Sequence, residues 1–273
     1  TNVREFIKEQ NDDDISHDAS LSAILHGFLN GFQIVVVQLD EHDDAQSIFS
    51  ALNGNAEPLT AFDLIRNDIF HRAAKKGEDN DELFEKKWQN LETDFWKEEV
   101  KQGRLKRPRT DHLITHSLVS EMAKEISTGR VVHEYKIYSE SRGFSSVAEE
   151  VDNLLKYSKV YQNLEIQDQN VPEARIGKFL DIWDMSAFHP LVFCIGVQEI
   201  PEDLKEEAYK IIESYIIRRD ICGYTNKSYN KIVPTLIREL SNSESISETL
   251  RHEIESFKSE ISKYENVTNY GQW

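Results

Sequence analysis

From about residue 60 onward, apolar residues recur at three- and four-residue steps, the signature of helices with one buried face. In DELFEKKWQNLETDFWKEEV (81–100) the stripe is Leu83, Phe84, Trp88, Leu91, Phe95 and Trp96, and it predicts one helix. EDLKEEAYKIIESYIIRRDI (202–221) carries Leu204, Ala208, Ile211, Ile212, Tyr215 and Ile216, a strong amphipathic pattern. Further helices are predicted over 110–126, 131–140, 144–164, about 228–241 and 247–263, with buried apolar segments over 176–185 and 189–200. FQIVVVQLD (32–40) is different: β-branched, apolar and ended by acids, it reads as a strand. A lone strand is not stable, so it must complete a sheet supplied from elsewhere. The predicted fold class is mainly α, an irregular multi-helix array with one N-terminal strand.

SIFSALNGNAEPLTAFDLIRNDIF (47–70) joins two of these helical patterns. Ile48, Phe49 and Leu52 line the first. Asn53-Gly54-Asn55 stops it, because Gly and Asn tolerate the left-handed conformation of a helix C-terminus. Thr60 is a good N-cap for the second, with Asp63 three residues on as a weaker stand-in for the capping-box Glu. Leu64, Ile65, Ile69 and Phe70 then form its apolar stripe. The pattern is a helical hairpin with a polar joint at Asn53, Thr60, Asp63 and Asn67. Those residues either only cap helices or form a joint in which a buried Asn finds several partners.

Composition narrows the class. With 6 Pro and 11 Gly in 273 residues, long helices are favoured over many short strands. Cys194 and Cys222 fit no disulfide framework or zinc pattern, which points to a reducing, cytoplasmic setting. No apolar run reaches the roughly 18 residues that span a bilayer. The chain begins at Thr1 with no signal peptide, so the expectation is a piece of a longer protein.

A net charge of −17 argues against a surface that grips nucleic acid all over. Charge is uneven, however. Residues 1–44 hold ten acids and two bases, whereas KQGRLKRPR (101–109) holds five bases and no acid. Lys101, Arg104, Lys106, Arg107 and Arg109 are therefore candidate DNA-phosphate contacts; the plainer reading is a solvated loop between helices. Arg218 and Arg219 close the 202–221 helix. They either oppose its dipole or reach a phosphate or an acidic neighbour.

Motif chemistry is sparse. No nucleophile elbow, Walker loop or dinucleotide-binding glycine pattern occurs, so no catalytic residue is assigned. Asp111, His112 and His116 put two imidazoles on one helix face, but Leu113 stands where a zincin needs Glu and no third ligand has suitable spacing. No metal site is assigned.

IFSALNGNAEPLTAFDLIRNDIF resembles the helical hairpin of the GmrS-type family (domain of unknown function 262), in Ile48, Phe49, Leu52, Asn53, Pro58, Leu59, Thr60, Asp63, Leu64 and Asn67. ESYIIRRDICGYTNKSYNK (213–231) is similar to the family's helix that ends in paired arginines. The resemblance spans about residues 30–240. It implies a ParB/sulfiredoxin-like domain followed by helices, often with a His-Asn-His nuclease, in modification-dependent restriction and antiphage systems. Nucleotide triphosphate and Mg chemistry there belongs to an Asp-Gly-Gln-Gln-Arg motif, which this sequence lacks. The implied organisation is 1–75 as a remnant of the ParB/sulfiredoxin-like domain, its sheet completed by 32–40, and 76–273 as a helical domain. The implied role is a helical sensor and coupling region that links nucleotide and DNA binding to a nuclease. For Asn53 the resemblance implies contact with a nucleotide or DNA in an intact protein. Its expected partners are DNA, the N- and C-terminal domains absent from this sequence, and a second copy of the chain, with no membrane. A non-enzymatic interaction scaffold and a His112/His116 metal hydrolase are the competing readings.

Overall fold

The computed structural model describes residues 59–102, 105–167, 170–243 and 245–264, together with seven helical positions between 22 and 31. The expected strand at 32–40, the first helix of the hairpin and Asn53 lie outside the described residues. The chain divides into two compact units, Thr1–Glu57 and Pro58–Trp273. The helix that follows Thr60 thus falls in the larger unit, whereas the expected boundary at 75/76 would separate it from that unit. The reason is its packing: Phe62, Ile65, Ile69 and Ala73 are buried in the helical core.

That helix, α1, spans Ala61–Lys76. Thr60 and Asp63 form a complete reciprocal capping box, and Gly77, at φ 73°, ends the helix in the left-handed region that suits glycine. The tryptophan-bearing stretch is broken, contrary to the single helix its stripe predicts. It forms α2 (Asn80–Lys86), a 3-10 turn (Trp88–Leu91), α3 (Asp94–Lys97) and then β1 (Glu99–Gln102). The stripe itself is correct, since Leu83, Trp88, Leu91 and Trp96 are all buried. Asp79 caps α2, and Thr93 occupies the N-cap position of α3, so local starts divide what periodicity alone would join.

β2 (Leu105–Pro108) pairs antiparallel with β1, so the basic segment is a hairpin rather than a loop. Helices fill the rest: α4 (Arg109–Met122), α5 (Val131–Arg142), α6 (Val147–Glu165), α7 (Pro172–Ile182), α8 (His189–Gly196), α9 (Glu202–Ile221), α10 (Tyr229–Ser241) and α11 (Ile246–Tyr264). The described fold is mainly helical with one small two-stranded sheet.

α8 is the hub. Its His189, Pro190, Leu191, Val192, Phe193 and Ile195 are buried on all sides, and it packs against α4, α6, α9 and α10. A helix apolar all round can only be central. α6 and α7 approach so closely that a Cβ on Gly177 would lie 2.0 Å from the Leu164 carbonyl oxygen. Only glycine permits that backbone contact.

Candidate functional site

The hairpin lies against α4, and the contact is polar. His112 Nε2 is 3.2 Å from the Val100 carbonyl oxygen, to which it can only donate. One turn on, His116 Nε2 donates to Gln102 Oε1 at 2.7 Å. The Gln102 amide nitrogen then donates to Tyr161 Oη at 3.1 Å and lies 3.4 Å from His189 Nδ1. The His116 ring stacks 6.0 Å from that of His112 and meets His189 edge-on at 5.2 Å. One glutamine thus ties β1 to α4, α6 and α8.

Burial holds all three imidazoles neutral. It pushes His189 down to about 3, and puts His116 well below and His112 below their ordinary value. The charge of Arg107 reinforces the effect at His112. Both His112 and His116 use Nε2 in hydrogen bonds. Among the described residues, no group of three or more His, Cys, Asp or Glu is placed to hold a metal ion.

Register sorts the basic residues. Lys101 is directly opposite Lys106, and Val100 opposite Arg107, so the two lysines share one face and Arg107 shares the other with Val100 and Gln102. Lys101 and Lys106 are exposed, and Lys106 meets Glu99 at 3.1 Å. Arg104 lies outside the described residues. Arg109 is drawn inward: it pairs with Glu98 and Glu165, donates to the Phe95 carbonyl at 3.0 Å and stacks 4.5 Å over the Phe95 ring.

Arg218 is exposed at the end of α9, while Arg219 is buried. The Arg219 guanidinium sits 5.1–5.6 Å from the ring centres of Tyr215, Tyr224 and Tyr229 and donates to the Thr225 carbonyl and Ser228 Oγ. It therefore serves as a cation in an aromatic cage that fastens α9 to α10.

The joint residues Thr60 and Asp63 are half-buried and Asn67 is exposed. The Phe62 amide, one of the donors a helix start leaves free, donates to Asp111 Oδ1 at 3.1 Å. Asp111 thereby binds the N-terminus of α1 from the first turn of α4, one residue before His112. Sequence reading singles out Asp111, His112 and His116 as a possible metal face. It misses Gln102, Tyr161 and His189, which lie 14, 45 and 73 residues from His116 and have no spacing signal.

No protein-family model, curated protein or solved structure matches this chain. Among the described residues, no helix is long and apolar enough to cross a membrane.

Proposed function

We propose that this chain is the helical sensor and coupling region of a GmrS-like, modification-dependent restriction protein, linking nucleotide and DNA binding to a nuclease domain. The observation that carries the reading is that the N-terminal half of α4 holds two other elements by polar contacts. Its Asp111 accepts from the Phe62 amide beside the Thr60–Asp63 cap of α1, and its His112 and His116 hydrogen-bond β1. Coupling between two sites travels through packed and hydrogen-bonded contacts on a shared element, and the first two turns of α4 are such an element.

The hairpin adds a reason to expect an anion. Like charges directly opposite in a ladder repel, and Lys101 and Lys106 would be relieved by a phosphate between them. On this reading nucleotide and magnesium belong to the Asp-Gly-Gln-Gln-Arg domain of the family. The sequence has no Walker loop, and among the described residues no group is placed to hold a metal ion, so no step through them is derived.

The test is duplex DNA binding over a salt series, comparing the chain with a Lys101→Glu/Lys106→Glu variant. The expected result is affinity at least about tenfold weaker and a log–log salt slope shallower by about two units. Unchanged affinity and slope overturn the DNA role. A second reading, a non-enzymatic interaction scaffold, is favoured by the acids that already engage Lys106 and Arg109. Absence of DNA binding at low salt, with a stoichiometric protein complex stable to size exclusion, selects it.

A further inference from the structure

The hairpin Glu99–Pro108 has little apolar anchorage in the helical body. None of its described residues is buried. Its hydrogen bonds to the helices run from Val100 to His112, and from Gln102 to His116, Tyr161 and His189. Each passes through an imidazole or the Gln102 amide. An isolated two-stranded hairpin is marginal in water, so these contacts decide whether it stays docked and paired.

Donor and acceptor counting limits what the cluster tolerates. His116 Nε2–H donates to Gln102 Oε1, and the amide N–H2 faces His189 Nδ1, which must then be a lone pair. A proton added at His189 Nδ1 sets donor against donor. Turning the amide over gives His189 an acceptor, but it presents N–H2 to His116 Nε2, whose proton must move to Nδ1. Tyr161 Oη suits either orientation, since a hydroxyl both donates and accepts. With His116 and His189 both protonated, neither orientation works. The amide thus absorbs one proton and not a second. His112 adds to the conflict, with its ring stacked 6.0 Å from that of His116.

The surrounding charges are mixed. Lys101 on β1 and Arg107 on β2 oppose a proton, whereas Asp111 on α4, Glu165 on α6, Asp181 on α7 and Asp184 just beyond it favour one. Glu165 is already engaged by Arg109 at 3.3 Å. Among the described residues, no charged group of α9 or α10, which also pack on α8, acts on the three rings. The docked rings are held neutral by burial; freed of the hairpin, they return towards the ordinary value of about 6.5. Docking is therefore complete above that pH and weakens below it. The Arg72–Glu150 pair and the Arg219 cage, by contrast, hold the body without any imidazole.

We infer that β1–β2 is a proton-operated latch: acid frees the hairpin from α4, α6 and α8, with uptake of at least two protons, while the helical body stays folded. The latch regulates the face that carries Lys101 and Lys106, and it does not depend on DNA being what that face meets.

The test is amide hydrogen exchange of the full chain between pH 7.5 and 5.5, each rate divided by the intrinsic rate at that pH. Protection over 99–108 is expected to fall by more than about tenfold per pH unit in the acid half of this range, since each proton taken up contributes up to about tenfold. Segments 150–160 and 205–216 should keep their protection. His116→Asn and His189→Asn, each checked by circular dichroism, should make the fall shallower by about one proton. Gln102→Leu should leave the hairpin unprotected already at pH 7.5, with the helices still protected. Constant hairpin protection, a fall of one proton or less, loss from hairpin and helices at the same pH, or an unchanged slope in both histidine variants would each overturn the latch. Should a variant fail to fold, the profile of the unaltered chain decides alone.

Discussion

The two ends of α6 bury polar groups in opposite ways. Near its N-terminus, Glu150 is 2 % exposed, and Arg72 grips it with two nitrogens at 2.7 and 2.8 Å. Asp68 holds the third guanidinium nitrogen at 2.7 Å, and Ser139 donates to Glu150 at 2.9 Å. Burial works against the Arg72 charge, but these acids outweigh it and raise its pKa. Near the C-terminus, Tyr161 joins Gln102 and the imidazoles, where every member is neutral. The first end is secured by opposite charges and fails when one partner is lost. The second is secured by the absence of charge and fails when a proton arrives.

The comparison breaks most sharply at Arg72. Arg72→Leu strands a buried carboxylate and should cost about 3–5 kcal/mol in chemical denaturation. Adding Glu150→Leu should recover part of that loss; a double variant less stable than Arg72→Leu would show that the pair is not the relevant unit. Acid should act next, and only on the other end. The folded-state pKa values of His112, His116 and His189 lie below the unfolded value of about 6.5, so the native state binds fewer protons. Their stabilising effect is therefore complete above pH 6.5 and lost as pH falls from there towards 3. The expected slope is about 1.4 kcal/mol per pH unit for each histidine that stays neutral. Urea midpoints between pH 7.5 and 5.5 measure it, and His189→Asn should flatten the profile.

Gln102→Leu comes third. It leaves the His116 N–H and Tyr161 hydroxyl without their partner at about 1–3 kcal/mol, read at pH 7 where protonation does not interfere. The smallest effect is expected at the rim of the hairpin. Glu99→Gln removes an exposed ion pair with Lys106 and should leave the urea midpoint unchanged.

Both ends differ in how far they were legible beforehand. Helix positions were readable wherever a long apolar stripe ran without an internal cap: 202–221 was placed to the residue, and α4, α5, α6, α10 and α11 to within about four. The hairpin was hidden because its four-residue strands are too short and too charged to show alternation. A Gly103-Arg104 pair between them was the one signal that could have revealed it. The metal reading of His112 and His116 had the right residues on the right face. What it could not supply was the far side of the cluster, where Gln102 takes the place of a third ligand. Arg219 closes a helix as its position suggests, yet the tyrosines that enclose it come partly from beyond the helix end, where periodicity carries no information.

Asp111 has a consequence for the order of assembly. The capping box lets α1 begin locally, but the Phe62 amide is satisfied only by a side chain 49 residues further along. The start of α1 therefore cannot be fully secured until the first turn of α4 has formed and docked. Closing so long a loop has its own entropic cost, which only tertiary contacts repay. In kinetic terms, the final locking of α1 waits for the middle of the chain.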